Sequence, residues 1–362
     1  MIPDPSASAE ISATALHDAY MQRCFHLAEL GAGYTAPNPM VGAVLVHEGR
    51  IIGEGYHQKS GEAHAEVNCL NSVRTGDRQF IPASTLYVSL EPCAHHGKTP
   101  PCVDLIIREK IPRVVIGCRD PFPEVDGKGI EKLLAHKVEL IFPVLEKEAV
   151  ACNRRFFVFH QQKRPYIILK WAATANHKIG GASAERLLIS NDYSNRLVHQ
   201  WRTEEAGILV GTQTALTDDP SLTVRLWPGK NPVRIVVDRN LRLPESLKIF
   251  ERSVTSVILN EKKDAQSENL IFKKINAHEL FIPAILSALY SLNILSVLVE
   301  GGAKTLQSFI DSGLWDEARV ITNNELEIPD GPEAPLLQKA VLLKTEDYYS
   351  DTIRYWKNDV GV

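Results

Sequence analysis

The sequence predicts an α/β protein of two domains, and three observations carry that reading. Runs rich in β-branched and aromatic residues alternate with runs of helical periodicity along the whole chain. A length of 362 residues suggests two domains or one large one. A polar patch, Gln161-Gln162-Lys163-Arg164-Pro165, interrupts the alternation near the middle. The junction is placed between residues 143 and 163, which divides the chain into 1–150 and 151–362.

In the first half, Leu16, Tyr20, Cys24, Leu27 and Leu30 lie at helical spacing, and Gly31 and Gly33 stop that helix. The strand 43–46, a turn at His47-Glu48-Gly49-Arg50 and the strand 51–56 read as a hairpin. A helix over 64–74 follows. Strand 84–90, helix 102–110 and strand 113–118 then alternate as β-α-β, completed by a helix near 128–136 and a short strand at 138–141. The expected result is a mixed sheet covered by helices on both faces, a three-layer α/β arrangement.

Composition narrows the function. Hydrophobic content of 44% and charged content of 23% are those of an ordinary folded protein. A net charge of −4 gives no support for broad nucleic-acid binding. No apolar run reaches the length of a membrane span. Residues 1–14 have no basic residue, unlike a secretory signal or transit peptide, so a cytoplasmic location is expected. Six cysteines in this length do not make a disulfide scaffold. Cys24, Cys69, Cys118 and Cys152 read as reduced core thiols.

The remaining two cysteines belong to a sharper pattern. His64-Ala65-Glu66 is followed by Pro92-Cys93 and, after Pro100-Pro101, by Cys102. One imidazole, two thiolates and a carboxylate that does not bind metal form the working set of a zinc-dependent deaminase. Three protein ligands leave the fourth position of Zn²⁺ open, and Glu66 is placed to move the protons. Structural cysteines and a surface histidine would explain H-x-E alone; the full set favours zinc. His95 and His96 are not needed as ligands. Asn38, between Pro37 and Pro39, either caps a turn or binds a substrate ring. Lys98 either meets a phosphate or is solvated.

In the second half, strands are expected at 166–172, 206–211, 233–238, 255–259, 295–299 and 317–322. Helices are expected at 283–292 and 303–312, and a closing hairpin near 336–357. Val297-Leu298-Val299-Glu300-Gly301-Gly302-Ala303-Lys304-Thr305 reads as a buried strand, a Gly-Gly turn and a helix start. Such a turn is either structural or a phosphate cradle. There is no G-x-G-x-x-G fingerprint. The polar run Gly211 to Arg225 reads as a loop after a buried strand.

Several of these segments together resemble the bifunctional riboflavin-biosynthesis family, in which a pyrimidine deaminase is fused to a reductase. The segments are Pro37-Asn38-Pro39-Met40-Val41-Gly42, Gly53-Glu54-Gly55-Tyr56-His57, His64-Ala65-Glu66 and the run from Leu90 to Cys102. In the second half they are the motif Gly211 to Arg225 and Val299-Glu300-Gly301-Gly302. The resemblance implies a cytidine-deaminase-like α/β domain followed by a dihydrofolate-reductase-like α/β domain, with Zn²⁺ and NADPH as cofactors. It implies that His64, Cys93 and Cys102 hold zinc, that Glu66 shuttles protons, and that Asn38, Lys98 and Asp120 contact the deaminase substrate. In the second half it assigns Ala172, Thr214, Asp218 and the turn Gly302, Ala303, Lys304, Thr305 through Ser308 to NADP. Arg202, Leu222, Arg225 and Glu300 are assigned to the reductase substrate.

The chain departs from the family pattern at Phe122, where an asparagine is usual, at Asn176-His177 in place of Asp-Gly, and at Leu188 in place of an aromatic. The expected enzyme deaminates 2,5-diamino-6-(5-phosphoribosylamino)pyrimidin-4(3H)-one and then reduces the ribosyl chain, giving 5-amino-6-(5-phosphoribitylamino)uracil. Its expected partners are that phosphorylated ribosylamino-pyrimidine and further copies of itself, with no nucleic acid and no membrane. The alternatives are a deaminase whose C-terminal domain serves only assembly, a nucleic-acid-editing deaminase, and a non-catalytic binding protein.

Overall fold

The computed structural model describes residues 13–95, 100–181, 187–276 and 280–359. Lys98, among the expected substrate contacts, lies outside the described residues. The chain divides into two compact units, Met1–His160 and Gln161–Val362.

The first unit contains α1 (Ala13–Glu29), β1 (Gly42–His47), β2 (Arg50–Tyr56), α2 (Ala65–Ser72) and a 3-10 segment over Thr75–Ala83. It continues with β3 (Thr85–Leu90), α3 (Cys102–Arg108), β4 (Arg113–Cys118), α4 (Lys128–Ala135), β5 (Glu139–Ile141) and α5 (Glu146–Cys152). The division falls within α6 (Arg154–Gln162). Glu48 and Gly49 both take left-handed backbone, φ 47° and 77°, which is the twist a tight two-residue hairpin needs. The sheet order is β2-β1-β3-β4-β5, with the β3–β4 and β4–β5 pairs parallel.

Alternation along the strands makes three layers. Ala43, Leu45, Leu86, Val88, Val114 and Ile116 pack beneath α2, α3 and α4 through Cys69, Val103, Ile106 and Leu133. Val44, Val46, Tyr87 and Val115 face the other way, onto Met21, Cys24 and Phe25 of α1 and Phe157 of α6. A period of two splits each strand between two cores, so both faces must be covered.

The second unit contains β6 (Tyr166–Ala173), α7 (Asp192–Glu204), β7 (Gly207–Gly211), α8 (Thr212–Asp218), β8 (Val233–Val237) and β9 (Ser256–Asn260). Then come β10 (Ala265–Ser267), β11 (Leu270–Lys274), α9 (Phe281–Ser291), β12 (Ser296–Gly301), α10 (Ala303–Ser312), β13 (Glu317–Asn323), β14 (Ala340–Tyr348) and β15 (Asp351–Asn358). The ten-stranded order is β10-β11-β9-β8-β7-β12-β6-β13-β15-β14. Strands β11 through β13 in that order pair in parallel, and the hairpin β14–β15 adds antiparallel.

Two helices differ from the sequence reading. Residues 212–218, read as loop, form α8, and Asn191 opens the unforeseen α7 by accepting the Ser194 N–H at 3.0 Å. Their positions matter. Ala215 of α8 packs with Ile208, Val210 and Val236 on one sheet face. Leu306, Phe309 and Ile310 of α10 pack with Leu209, Val297 and Val299 on the other. Adjacent parallel strands β7 and β12 therefore send their helices to opposite faces. This switch opens a crevice at their carboxyl ends, the place where open α/β sheets take ligands.

Candidate active sites

In the first unit, β3 delivers Glu91-Pro92-Cys93 at its carboxyl end, α2 begins just after His64, and α3 begins at Cys102. The ligand atoms of His64, Cys93 and Cys102 all lie within 4.8 Å of one another. Nδ1 of His64 stands 3.6 Å from Cys93 Sγ and 3.3 Å from Cys102 Sγ. A tetrahedral zinc with bonds near 2.3 Å to sulfur and 2.0–2.1 Å to nitrogen needs S···N separations of about 3.5 Å. The donor set and its spacing therefore suit zinc, with Nδ1 as the imidazole donor. The neighbouring Cys102 thiol draws the Cys93 pKa down to about 4 against its burial, and the His64 ring and the Cys102 N–H add to this.

Glu66, in the first turn of α2, is 3% exposed. Burial raises its carboxyl pKa, and Cys93 adds to the rise, so this group holds a proton more readily than a surface glutamate. Beside His64 stands His57, with ring centroids 5.3 Å apart. Its Nδ1 faces the Ala63 carbonyl at 3.0 Å and so carries the proton. Its Nε2 is left to accept from Asn38 Nδ2 at 3.2 Å. Asn38 is thus both a turn residue, its N–H bonded to Thr35 O, and tethered beside the metal ligand.

The sequence reading missed Glu91. Its buried carboxylate accepts the N–H groups of Asp120, Gly127, Gly129 and Ile130 and ties the Asp120 loop to the cysteine loop. An acidic residue directly after the apolar strand β3 was the available signal. Burial pushes Asp120 up to about 7 although it accepts the Phe122 N–H at 2.7 Å. The Phe122 ring packs against His160, centroids 5.0 Å apart.

In the second unit, the turns after β7 and β12 approach closely. A Cβ at Gly211 would lie 2.4 Å from Thr305 Oγ1, and one at Gly302 would lie 2.9 Å from Thr214 Oγ1. Glycine at both places lets α8 and α10 start side by side. The N-terminus of the ten-residue α10 favours an anion, and Thr214 and Thr305 stand where the two turns meet, while Asp218 is exposed at the last position of α8. This arrangement suits a dinucleotide phosphate.

Glu300 lies on the sheet face opposite Val299, and Lys170 and Ala172 lie on that same face of neighbouring β6. Arg202 grips Glu300 in a fork and also donates to the Thr223 carbonyl at 3.1 Å. Lys170 Nζ lies 4.0 Å from Glu300. Arg225 is exposed, and its N–H donates to His199 Nδ1 at 3.0 Å. Leu222 has φ 54° and its side chain is buried in the core, so only its main chain is on offer. Lys170 and His199 escaped the sequence reading. A lysine inside an apolar strand was a signal for the first.

Comparison with known proteins agrees with this geometry. A family model described as the cytidine and deoxycytidylate deaminase zinc-binding region matches residues 14–118, and one described as the RibD C-terminal domain matches 165–323. The riboflavin biosynthesis protein RibD of Aquifex aeolicus is 42% identical over 302 residues, 82% of this chain and 84% of its own. The chain belongs to the RibD family. The structure of a diaminohydroxyphosphoribosylaminopyrimidine deaminase/5-amino-6-(5-phosphoribosylamino)uracil reductase from Thermotoga maritima superposes with a TM-score of 0.85 at 35% identity. It covers 95% of this chain and 99% of that one. Acinetobacter baumannii RibD gives 0.86 at 29% identity, with coverage of 95% and 99%. Like its family, this RibD-type chain is a bifunctional riboflavin-biosynthesis enzyme, a zinc deaminase joined to an NADPH-using reductase of dihydrofolate-reductase-like fold. No described helix is long and apolar enough to cross a membrane.

Proposed function

We propose that the first unit hydrolyses the ring amino group of 2,5-diamino-6-(5-phosphoribosylamino)pyrimidin-4(3H)-one, and that the second reduces the ribosyl chain of the product to give 5-amino-6-(5-phosphoribitylamino)uracil. The observation that carries the reading is the convergence of His64, Cys93 and Cys102 beside buried Glu66.

His64 Nδ1 and the two thiolates hold zinc, which when bound supplies a Lewis acid that eases ionisation of water at neutral pH. Glu66 takes a proton from the attacking water and returns protons to the ring nitrogen and the departing ammonia. Asn38, oriented by His57, and Asp120 hold the ring, and Lys98 meets the phosphate.

NADPH, when bound, supplies the hydride. The turn Gly302, Ala303, Lys304, Thr305 through Ser308 holds its phosphates, with Ala172, Thr214 and Asp218 beside them. Arg202, Arg225, Glu300 and the main chain at Leu222 hold the substrate. The forked Arg202–Glu300 pair keeps both side chains in one geometry.

The chain works in the cytoplasm and as a homo-oligomer. Cys24, Cys69, Cys118 and Cys152, none of them in a disulfide, support a reducing compartment, and the edge strand β14 leaves Val341, Leu342 and Leu343 exposed. Light scattering that returned a monomer would overturn the second point. The decisive experiment for function is incubation with the diamino-pyrimidine phosphate, with and without NADPH, followed by product masses. Deamination alone without NADPH and reduction only with it is the expected result. No reduction under any condition would leave the second unit an assembly domain.

A further inference from the structure

Helix α7 touches the segment before Arg225 at two points one helical turn apart. Arg202 donates to the Thr223 carbonyl, and His199 Nδ1 accepts the Arg225 N–H. Residues three apart on a helix share a face, so both bonds act on the same stretch of main chain. That stretch needs holding. It begins at Leu222 in left-handed backbone and ends at an exposed arginine whose guanidinium donates to Thr223 Oγ1 at 3.2 Å. An exposed guanidinium on an untethered loop samples many directions, and fixing it on binding costs conformational entropy.

We propose that His199 is a positioning residue of the reductase. It fixes the main chain of Arg225, so that the guanidinium faces the anionic group of the substrate before the substrate arrives. The inference rests on the reading of Arg225 as a substrate contact. His199 is 6% exposed. Because Nδ1 accepts, the ring is neutral with its proton on Nε2, and burial together with the flanking Arg202 and Arg225 favours that neutral form.

The test uses the full chain, with the deaminated pyrimidine phosphate and NADPH as reductase substrates. His199→Leu should raise the KM for the pyrimidine about tenfold and leave kcat within about twofold, the mark of lost ground-state and transition-state binding together. His199→Asn, whose Oδ1 can take the place of Nδ1, should recover part of that loss. Arg225→Ala should raise the KM by itself. Adding His199→Leu to Arg225→Ala should bring no further rise, because the histidine acts through the arginine. The deaminase rate and the melting temperature of each variant check folding. Full additivity in the double variant, or an unchanged KM in His199→Leu while Arg225→Ala is impaired, overturns the proposal. An unchanged KM in Arg225→Ala overturns the substrate reading beneath it, and the proposal with it.

Discussion

Arg202 holds Glu300 by two parallel hydrogen bonds, Nε to Oε1 and Nη2 to Oε2, both 2.7 Å long. Burial by itself would raise the Glu300 pKa, but Arg202 and then Lys170 pull it down to about 2. A carboxylate with a lowered folded pKa stabilises the fold above its ordinary value of 4.5, and that stability is lost as pH falls towards 2. The amount is about 3 kcal/mol. His199 titrates earlier. Burial, then Arg202 and Arg225, lower it to about 4 from 6.5, so its neutral form is the one the fold keeps and stability drains away as pH falls between those values. Urea unfolding across an acid series should therefore show the second unit weakening first below pH 6.5 and again below 4.5. His199→Asn should abolish the upper step and leave the lower one.

Glu66→Gln keeps the shape of the buried side chain and removes the proton carrier. Deamination should fall by roughly 10²- to 10⁴-fold. Zinc content, measured by elemental analysis, should stay at about one per chain, since three donors suffice for the metal. NADPH-dependent reduction, assayed on deaminated substrate, should persist. Deamination at the wild-type rate would mean that another group moves the proton.

Gly211→Ala places a methyl against Thr305 Oγ1, where only 2.4 Å is available. Since Gly211 has φ −82°, the obstacle is steric and not conformational. The starts of α8 and α10 should be forced apart, and titration calorimetry should show weaker NADPH binding with deamination intact. Unchanged affinity would remove the glycine-lined crevice from the cofactor site.

His177 occupies left-handed backbone at φ 63°, which a side chain adopts at a cost. His177→Gly should stabilise the second unit by about 1 kcal/mol despite the greater freedom of glycine when unfolded. The neighbouring departure behaves oppositely. Asn176 donates through Nδ2 to the Ile328 carbonyl at 2.7 Å and accepts from Thr174 Oγ1 at 2.7 Å. Asn176→Asp removes the donor and should cost about 1–3 kcal/mol. Thermal unfolding of the two single variants decides both signs. Equal shifts in one direction would contradict this account.

What the sequence determined was whatever chemistry or periodicity writes locally. His64, Cys93 and Cys102 were legible because one metal demands those residue types, and Glu66 because the proton transfer beside that metal needs a carboxylate; their strand and helix carriers have clear periods of two and 3.6. Most strands of both sheets were legible for the same reason. Residues 212–218 were not, because their polarity imitates a loop and only packing of Ala215 onto the sheet makes them a helix. Nor was the order β7-β12-β6, which brings Lys170, Glu300 and Arg202 together from three separate segments. Local pattern carries no record of which distant strand lies alongside. The meeting of Gly211 with Thr305, the fork between Arg202 and Glu300, and the grip of His199 on Arg225 were therefore decided by the tertiary structure, where the sheet order selects the neighbours.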